Sequence, residues 1–555
     1  MPAMPRLPTT RLPLLLVVGL LALSVAVPMT GSELGFGGSP GPSASPSGPG
    51  GSVAALPSAT PAATPVATPQ GTPAATPTPL PTPAIADVPI VPVTQFRTTL
   101  TSTNRDEVGA VLAGTSRRYE ALALVESEAD AILAALGMTR PTDTDRLVLA
   151  PTAARLSRDL AKQRKRLAFL RADDVTPAVR ALAWGGRTLF GVDRVRPPAE
   201  WRLHARLPEA PSGEAFDPAT TWTMFAGGDI LLDRGVYHTV RILGKGANFP
   251  FDGGTAEITS RCKDCSPLGW DLPRTRRTGN AGVVRDLISG ADIAIANFEN
   301  PAPNSPTFHT SGTRFTADPR LLGGLTKAGI DYVSLANNHI GDAFDRGILE
   351  TIANLRKRGI KYSGAGKDLA AARKPAIFKM GATTIAILAY DAIARAYFAG
   401  PEETGSSQLS LKRAQVDIKK ARAAGADLVI VFPHWGVEYR NKPFAAQQKL
   451  ARDIIDAGAD MIIGNHAHWV GAVEVYKGKP IWYALGNFVF DQTWSEPTME
   501  GITLELTFQG ASLRQIRMRP HIILDKAQPN FLDPAGDGKA VLGPLYDASK
   551  GLLPY

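Results

Sequence analysis

The chain has 555 residues, with 60 Lys plus Arg against 51 Asp plus Glu and a formal charge of +9. That length allows two or more domains, and 44% hydrophobic with 20% charged residues is ordinary for a globular protein. The basic excess is dispersed, apart from small clusters at Lys162, Arg164, Lys165, Arg166 and at Arg274, Arg276, Arg277. Without a concentrated, aromatic-interleaved stripe this excludes a nucleic-acid binder; the clusters read as solvated faces of a helix and a loop, or as contacts with an anionic envelope polymer or a membrane surface.

Residues 1–29 read as an export signal. Arg6 and Arg11 precede the apolar run Leu12 to Leu23, and Ser24, Val25 and Ala26 suit signal-peptidase cleavage. An uncleaved membrane anchor is the alternative, because apolar character continues to Met29. Either way the body is expected outside the cytoplasm, secreted or held at the membrane by this segment, and with no Cys after the run a lipoprotein anchor is not expected. Residues 30–87 form a linker. From 37 to 86 it has no charged side chain and consists almost wholly of Pro, Thr, Ala, Ser and Gly. Such a composition cannot bury enough apolar surface to offset chain entropy, so a disordered, extended stalk is expected.

From 88 to 207 the pattern predicts a small mixed α/β accessory domain. Asn104 caps a helix running into Val108, Val111 and Leu112, Ala121 to Val125 is a strand, Ala129 to Leu136 a helix, and Ala153 to Leu170 an amphipathic helix carrying the first basic cluster. The only His of this region is His204. Residues 220–525 then alternate short apolar strands (222–226, 293–296, 332–336, 384–389, 428–432, 461–463, 481–485) with helices such as 345–358 and 411–424. This predicts a layered α/β sheet structure closed by antiparallel strands at 502–508 and 513–518. Residues 526–555 are read as a C-terminal extension. Cys262 and Cys265 are the only cysteines, and a local disulfide staple outside the cytoplasm is the expectation, a redox pair the alternative.

Five strands run directly into possible metal ligands: Asp229 after Gly227 and Gly228, Glu299 after Asn297 and Phe298, Asn338 and His339, His434, and His466 with His468. Open α/β sheets bind ligands outside the carboxyl ends of their strands, so these distant residues are expected at one edge. Each alone has a plain structural reading as a turn, cap or loop residue. Together they include four of the chain's eight His. Asp, Glu, Asn and neutral imidazole in combination suit one or two divalent ions of the Mn, Fe or Zn type. A carboxylate such as Glu299 can bridge two ions about 3.5–4 Å apart, and such a pair makes a nucleophile of water near neutral pH.

The series Gly228 to Arg234, Asn297 to Glu299, Asn337 to His339, His434 to Tyr439, Gly464 to His468 and Leu485 to Asp491 resembles the CapA family of poly-γ-glutamate capsule proteins, within the calcineurin-like metallophosphoesterase superfamily. The resemblance covers about 300 residues and implies that superfamily's layered fold. It implies metal binding by Asp229, Glu299, Asn338, His434, His466 and His468, and protonation of a leaving group by His339. One departure is Leu231, where the superfamily usually has a His, so one ion would lose a nitrogen ligand. Arg234, Glu438 and Asn487 also fit the motifs and are assigned to substrate binding. Arg234 either clamps a carboxylate or phosphate or pairs with a nearby acid, and Asn487 has the alternative of capping the last strand's turn.

Three functions follow as expectations. The first is a role in synthesis, export or trimming of a cell-surface polymer such as poly-γ-glutamate, with that anionic polymer or its synthesis machinery as partner. The second is a generic extracytoplasmic phosphoesterase or amide hydrolase; no Gly-x-x-x-x-Gly-Lys-Ser/Thr nucleotide loop occurs. The third is a non-catalytic polymer-binding protein with a structural metal site.

Overall fold

In the computed structural model, residues 84–210 and 215–555 are described. The signal or anchor (1–29) and nearly all of the linker lie outside the described residues. Among the described residues no helix is long and apolar enough to cross a membrane. The first described strand is Ile85–Gln95, which begins a few residues before the predicted accessory domain.

The N-terminal sheet has the strand order Leu147–Ala150, Ala121–Val125, Arg166–Arg171, Ile85–Gln95, Val179–Ala181, with His204–Pro208 pairing the first half of Ile85–Gln95. Asn104 caps the helix Arg105–Leu112 by accepting from the Glu107 amide, as its short polar side chain suits. The amphipathic helix expected over 153–170 is instead two elements. The helix Ala153–Lys162 ends at Gln163, and Arg166–Arg171 becomes a strand. The reason is the apolar run Leu167 to Leu170: buried throughout between Ala121–Val125 and Ile85–Gln95, it needs cover on both faces, which a helix with a polar face would not use.

The larger region places two sheets face to face. One runs Leu272–Gly279, Thr255–Cys262, Gln528–Leu532, Ser512–Leu524, Glu500–Gln509, Thr221–Ile230, Ile293–Phe298, Tyr332–Ser334, Lys361–Ser363, and Asn487–Val489 also pairs with Thr221–Ile230. The other runs Ala376–Met380, Thr383–Asp391, Leu428–His434, Met461–Ile463, Lys479–Trp482, Val473–Tyr476. Side chains alternate across these strands with period two. Trp222, Met224, Ile385, Ile387, Leu428 and Ile430 fill the core between the sheets. Their neighbours Phe225, Ala386, Leu388, Val429 and Val431 face outward under helices such as Phe344–Lys357 and Leu411–Ala423. Burial on both faces explains why the strands read as continuous apolar runs.

The boundary predicted at 525 is not a structural break. Gln528–Leu532 lies within the first sheet, and the helix Lys539–Ala548 contributes Val541, Leu542 and Leu545 to the inter-sheet core. The second basic cluster lies on a hairpin strand rather than a loop, where Arg276 pairs with Glu257 and Arg277 with Asp525. Cys262 and Cys265 form a disulfide at the end of that hairpin.

Candidate metal centre

Parallel pairing brings the ligand-type residues to one edge. Asp229 stands in register with Asn297 on one side and Asn487 on the other. Gly228 before it is required by close approach, since a methyl there would overlap the carbonyl oxygen of Gly486. Glu299 follows Ile293–Phe298, its amide donating to the Ile230 carbonyl at 2.9 Å. His434 ends Leu428–His434, and His466 and His468 occupy the loop after Met461–Ile463. Both of these histidines adopt left-handed backbone, with φ of 93° and 56°. Such geometry is costly for non-glycine residues and persists where a site imposes it.

The side chains meet as two triads, Glu299 with His434 and His466, and Asp229 with Glu299 and His468, each with ligand atoms within 4.8 Å of one another. His434 Nε2 is 3.5 Å and His468 Nε2 3.8 Å from Glu299 Oε1, and His468 Nδ1 is 3.6 Å from Asp229 Oδ2. Asn338 Oδ1 lies 2.7 Å from His434 Nε2, and His466 Nδ1 lies 3.1 Å from the same nitrogen. Glu299 thus belongs to both groups. Leu231 does not face them: it is buried with Phe315, Phe490 and Ile523.

Electrostatics distinguish this cluster from an ordinary buried network. Burial pushes Asp229 up to about 7 and, with Asp229 and Glu438 nearby, holds Glu299 well above the carboxylate range. Burial holds His434 and His466 well below their usual value and takes His468 down to about 3. The imidazoles are therefore neutral, the form that ligates metal. Both carboxylate oxygens of Glu299 are buried without a hydrogen-bond donor. An unpartnered buried acid costs several kcal/mol, and a cation between the two triads is the partner this donor set fits.

His339 stands outside the triads. Its Nδ1 is 2.9 Å from Asp342 Oδ2, and its ring packs on Phe315 at 4.3 Å. Arg234 is engaged by Asp491 in a bidentate pair, donates to the Gly312 carbonyl at 3.0 Å and lies over Phe315. Of its two predicted readings, this is the pairing with a nearby acid. Glu438 is half-buried and close enough to raise Glu299 further, and burial raises its own carboxyl as well.

Asn487 is fully buried. Its Oδ1 lies 2.9 Å from His468 Nδ1, while its Nδ2 donates to the Thr498 carbonyl and to Gln492. It orients a ligand-type histidine.

Sequence reading gave no role to four further residues. Asn297 donates to Asp229 at 2.8 Å and lies 3.3 Å from His434 Nδ1. Asp342 positions His339, Asp491 holds Arg234, and Phe315 packs against both His339 and Arg234. Asn297 and Asp491 lie inside the quoted motifs and Asp342 is three residues past His339, so position alone was their available signal.

Facing mixed sheets with an Asp, Asn, Glu and His cluster at a shared carboxyl edge define the calcineurin-like phosphoesterase fold. Residues 223–492 match the family model for the bacterial capsule synthesis protein PGA_cap, and this region is similar to CapA proteins. It is 33% identical over 220 residues to the capsule biosynthesis protein CapA of Bacillus anthracis, covering 38% of this chain and 54% of that protein. To the PGA biosynthesis protein CapA of Bacillus subtilis it is 32% identical over 215 residues, 38% of this chain and 57% of that protein. The chain thus spans a little over half the length of these relatives. Among solved structures, the calcineurin-like phosphoesterase YfkN of Bacillus subtilis superimposes with a TM-score of 0.29 at 12% identity, covering 60% of this chain and 97% of that one. That likeness is too loose to bear on function.

Proposed function

We propose that this chain is an exported, metal-dependent protein acting in the synthesis, export or trimming of an anionic cell-surface polymer, with poly-γ-glutamate as the leading substrate. The observation that carries the metal dependence is the buried Glu299 shared by two triads, with no other residue donating to either of its oxygens. The polymer is supported by kinship with proteins named for capsule and PGA biosynthesis. Asp229, Glu299, Asn338, His434, His466 and His468 would hold one or two ions of the Mn, Fe or Zn type, which supply Lewis-acid polarisation of a phosphoryl or carbonyl oxygen. His339, steadied by Asp342, would give a proton to the leaving group, and the buried surroundings would keep bulk water from the scissile bond. In this reading the N-terminal segment exports or anchors the chain, and the linker holds the folded region away from the membrane.

Elemental analysis of the wild type beside Asp229→Ala and His434→Ala tests the metal site. Near-stoichiometric divalent metal in the wild type and its loss in both variants is expected; equal content in all three removes the site. Deleting the gene should change the amount or chain length of the surface polymer, and an unchanged polymer removes the biosynthetic role.

A hydrolase acting on other phosphoesters or amides is the second reading, favoured by the His339 and Asp342 pair beside the triads. Turnover of a phosphodiester with no effect of gene deletion on the polymer would select it.

A further inference from the structure

A cavity of about 400 Å³ lies next to the metal edge, lined by Arg261, Asn441, Trp469, Glu496, Glu500 and Val541, among others. Its walls come from well-separated parts of the chain: the disulfide-closed hairpin, the residue after His468, the helix Glu496–Met499 and the C-terminal helix Lys539–Ala548. It is tied to the metal edge twice. Trp469 directly follows His468, and Asn487, which orients His468, donates to the Thr498 carbonyl of the helix that carries Glu496.

The polar groups of this cavity are incompletely partnered. Glu500 is 6% exposed and its Oε1 has no hydrogen-bond donor. Glu496 pairs with Arg261 through Oε2, while its Oε1 is buried and unpartnered. The Trp469 indole N–H is buried without an acceptor. Two acids share the cavity with one arginine, beside Val541 and Pro544. Burial, with Glu496 adding to it, pushes Glu500 up to about 8. Ordered water could meet single hydrogen bonds here, whereas a bound cation would also return Glu500 to its charged form. The unmet set calls for a compact group with several donors and a positive charge for the two carboxylates, next to an acceptor for the indole and Arg261.

We propose that this cavity binds a free α-amino-acid end, its ammonium between Glu496 and Glu500 and its carboxylate on the Trp469 N–H and Arg261. This deepens the polymer reading and rests on it for the occupant: the amino-terminal residue of a γ-linked polyglutamate carries a free ammonium and a free carboxylate on one carbon. The cavity would then seat a chain end while the neighbouring metal edge faces a bond further along.

Calorimetric titration of the full chain with a γ-linked L-glutamate pentamer, its N-acetylated form and free L-glutamate tests this. The free-amine pentamer is expected to bind at least tenfold more tightly than the acetylated one, and Glu500→Gln to remove that difference. Trp469→Phe should weaken the free-amine pentamer several-fold. The acetylated comparison uses only the wild type, so it stands even if a variant folds poorly. Equal binding of both pentamers, or no binding of any probe at millimolar concentration, overturns the cavity assignment. Glutamate binding that depends on Glu500 without pentamer binding keeps the cavity and removes the polymer. Pentamer binding indifferent to acetylation and to Glu500 does the reverse.

Discussion

Glu299 and Glu505 are the same residue type, both essentially fully buried, and they behave in opposite ways. Glu505 lies where the N-terminal domain packs on the larger sheet. It accepts from Arg519 at 2.6 and 2.8 Å, from Arg517 at 3.4 Å and from the Val192 amide at 2.9 Å. Burial would raise its pKa, but Arg517 and Arg519 outweigh that and take it down to about 2. Neighbouring contacts are equally complete: Gly191 donates to Thr507, and Gln515 accepts from the Ala181 amide and donates to the Val179 carbonyl. Glu299 has no donor at either oxygen. A satisfied buried charge fastens two parts of a fold, whereas an unsatisfied one marks a place kept for a ligand.

That contrast can be broken at either end. The largest effect is expected at the open edge, where His339→Ala should lower turnover of a chromogenic phosphodiester by about 10²–10⁴ while leaving metal content unchanged. An unchanged rate would remove His339 from the acid role. At the satisfied site, Glu505→Gln should destabilise the chain by about 3 kcal/mol in denaturant unfolding, because it strands two arginines. The same carboxylate gives an acid limb. Its folded pKa of about 2 lies below its ordinary 4.5, so its contribution is complete above about pH 4.5 and is lost as pH falls through about 2. An acid unfolding curve that is the same for wild type and Glu505→Gln would contradict this.

Smaller effects sharpen the picture. Asn487→Ala should cost about 10–100-fold in metal affinity by freeing the His468 ring, measured by competition with a chelator. If affinity is unchanged while substrate KM rises, Asn487 contacts substrate after all. The smallest change is the most diagnostic. Glu299→Gln should change the stability of the metal-free protein by less than about 1 kcal/mol near neutral pH, since burial already holds this carboxyl in its neutral form, and should abolish the gain that metal gives the wild type. A near-neutral Glu299→Gln beside a destabilising Glu505→Gln in the metal-free protein is the direct test of the comparison.

Much of the larger region was readable from the chain. Strands buried on both faces need unbroken apolar runs, so Leu428 to Phe432 and Met461 to Ile463 announce themselves, and the polar residue that ends each run falls at the sheet edge. The same rule was missed at Leu167 to Leu170, where a basic flank made a strand look like a helical continuation. Gln528–Leu532 was missed because five residues between loops carry too little periodicity to be placed in a sheet whose other members lie far away in sequence.

The sequence by itself determined the order of the elements, the layered α/β class, and which residue types stand at the carboxyl ends of the strands, because each of these follows from local burial and spacing. Only the tertiary structure decided which polar groups are partnered. Asp491 meets Arg234 across 257 positions, Asn487 turns toward His468, and Glu299 is left without a donor between two triads. Hydrogen-bond satisfaction depends on groups distant in sequence brought within about 3 Å, and that information exists only once the chain is folded.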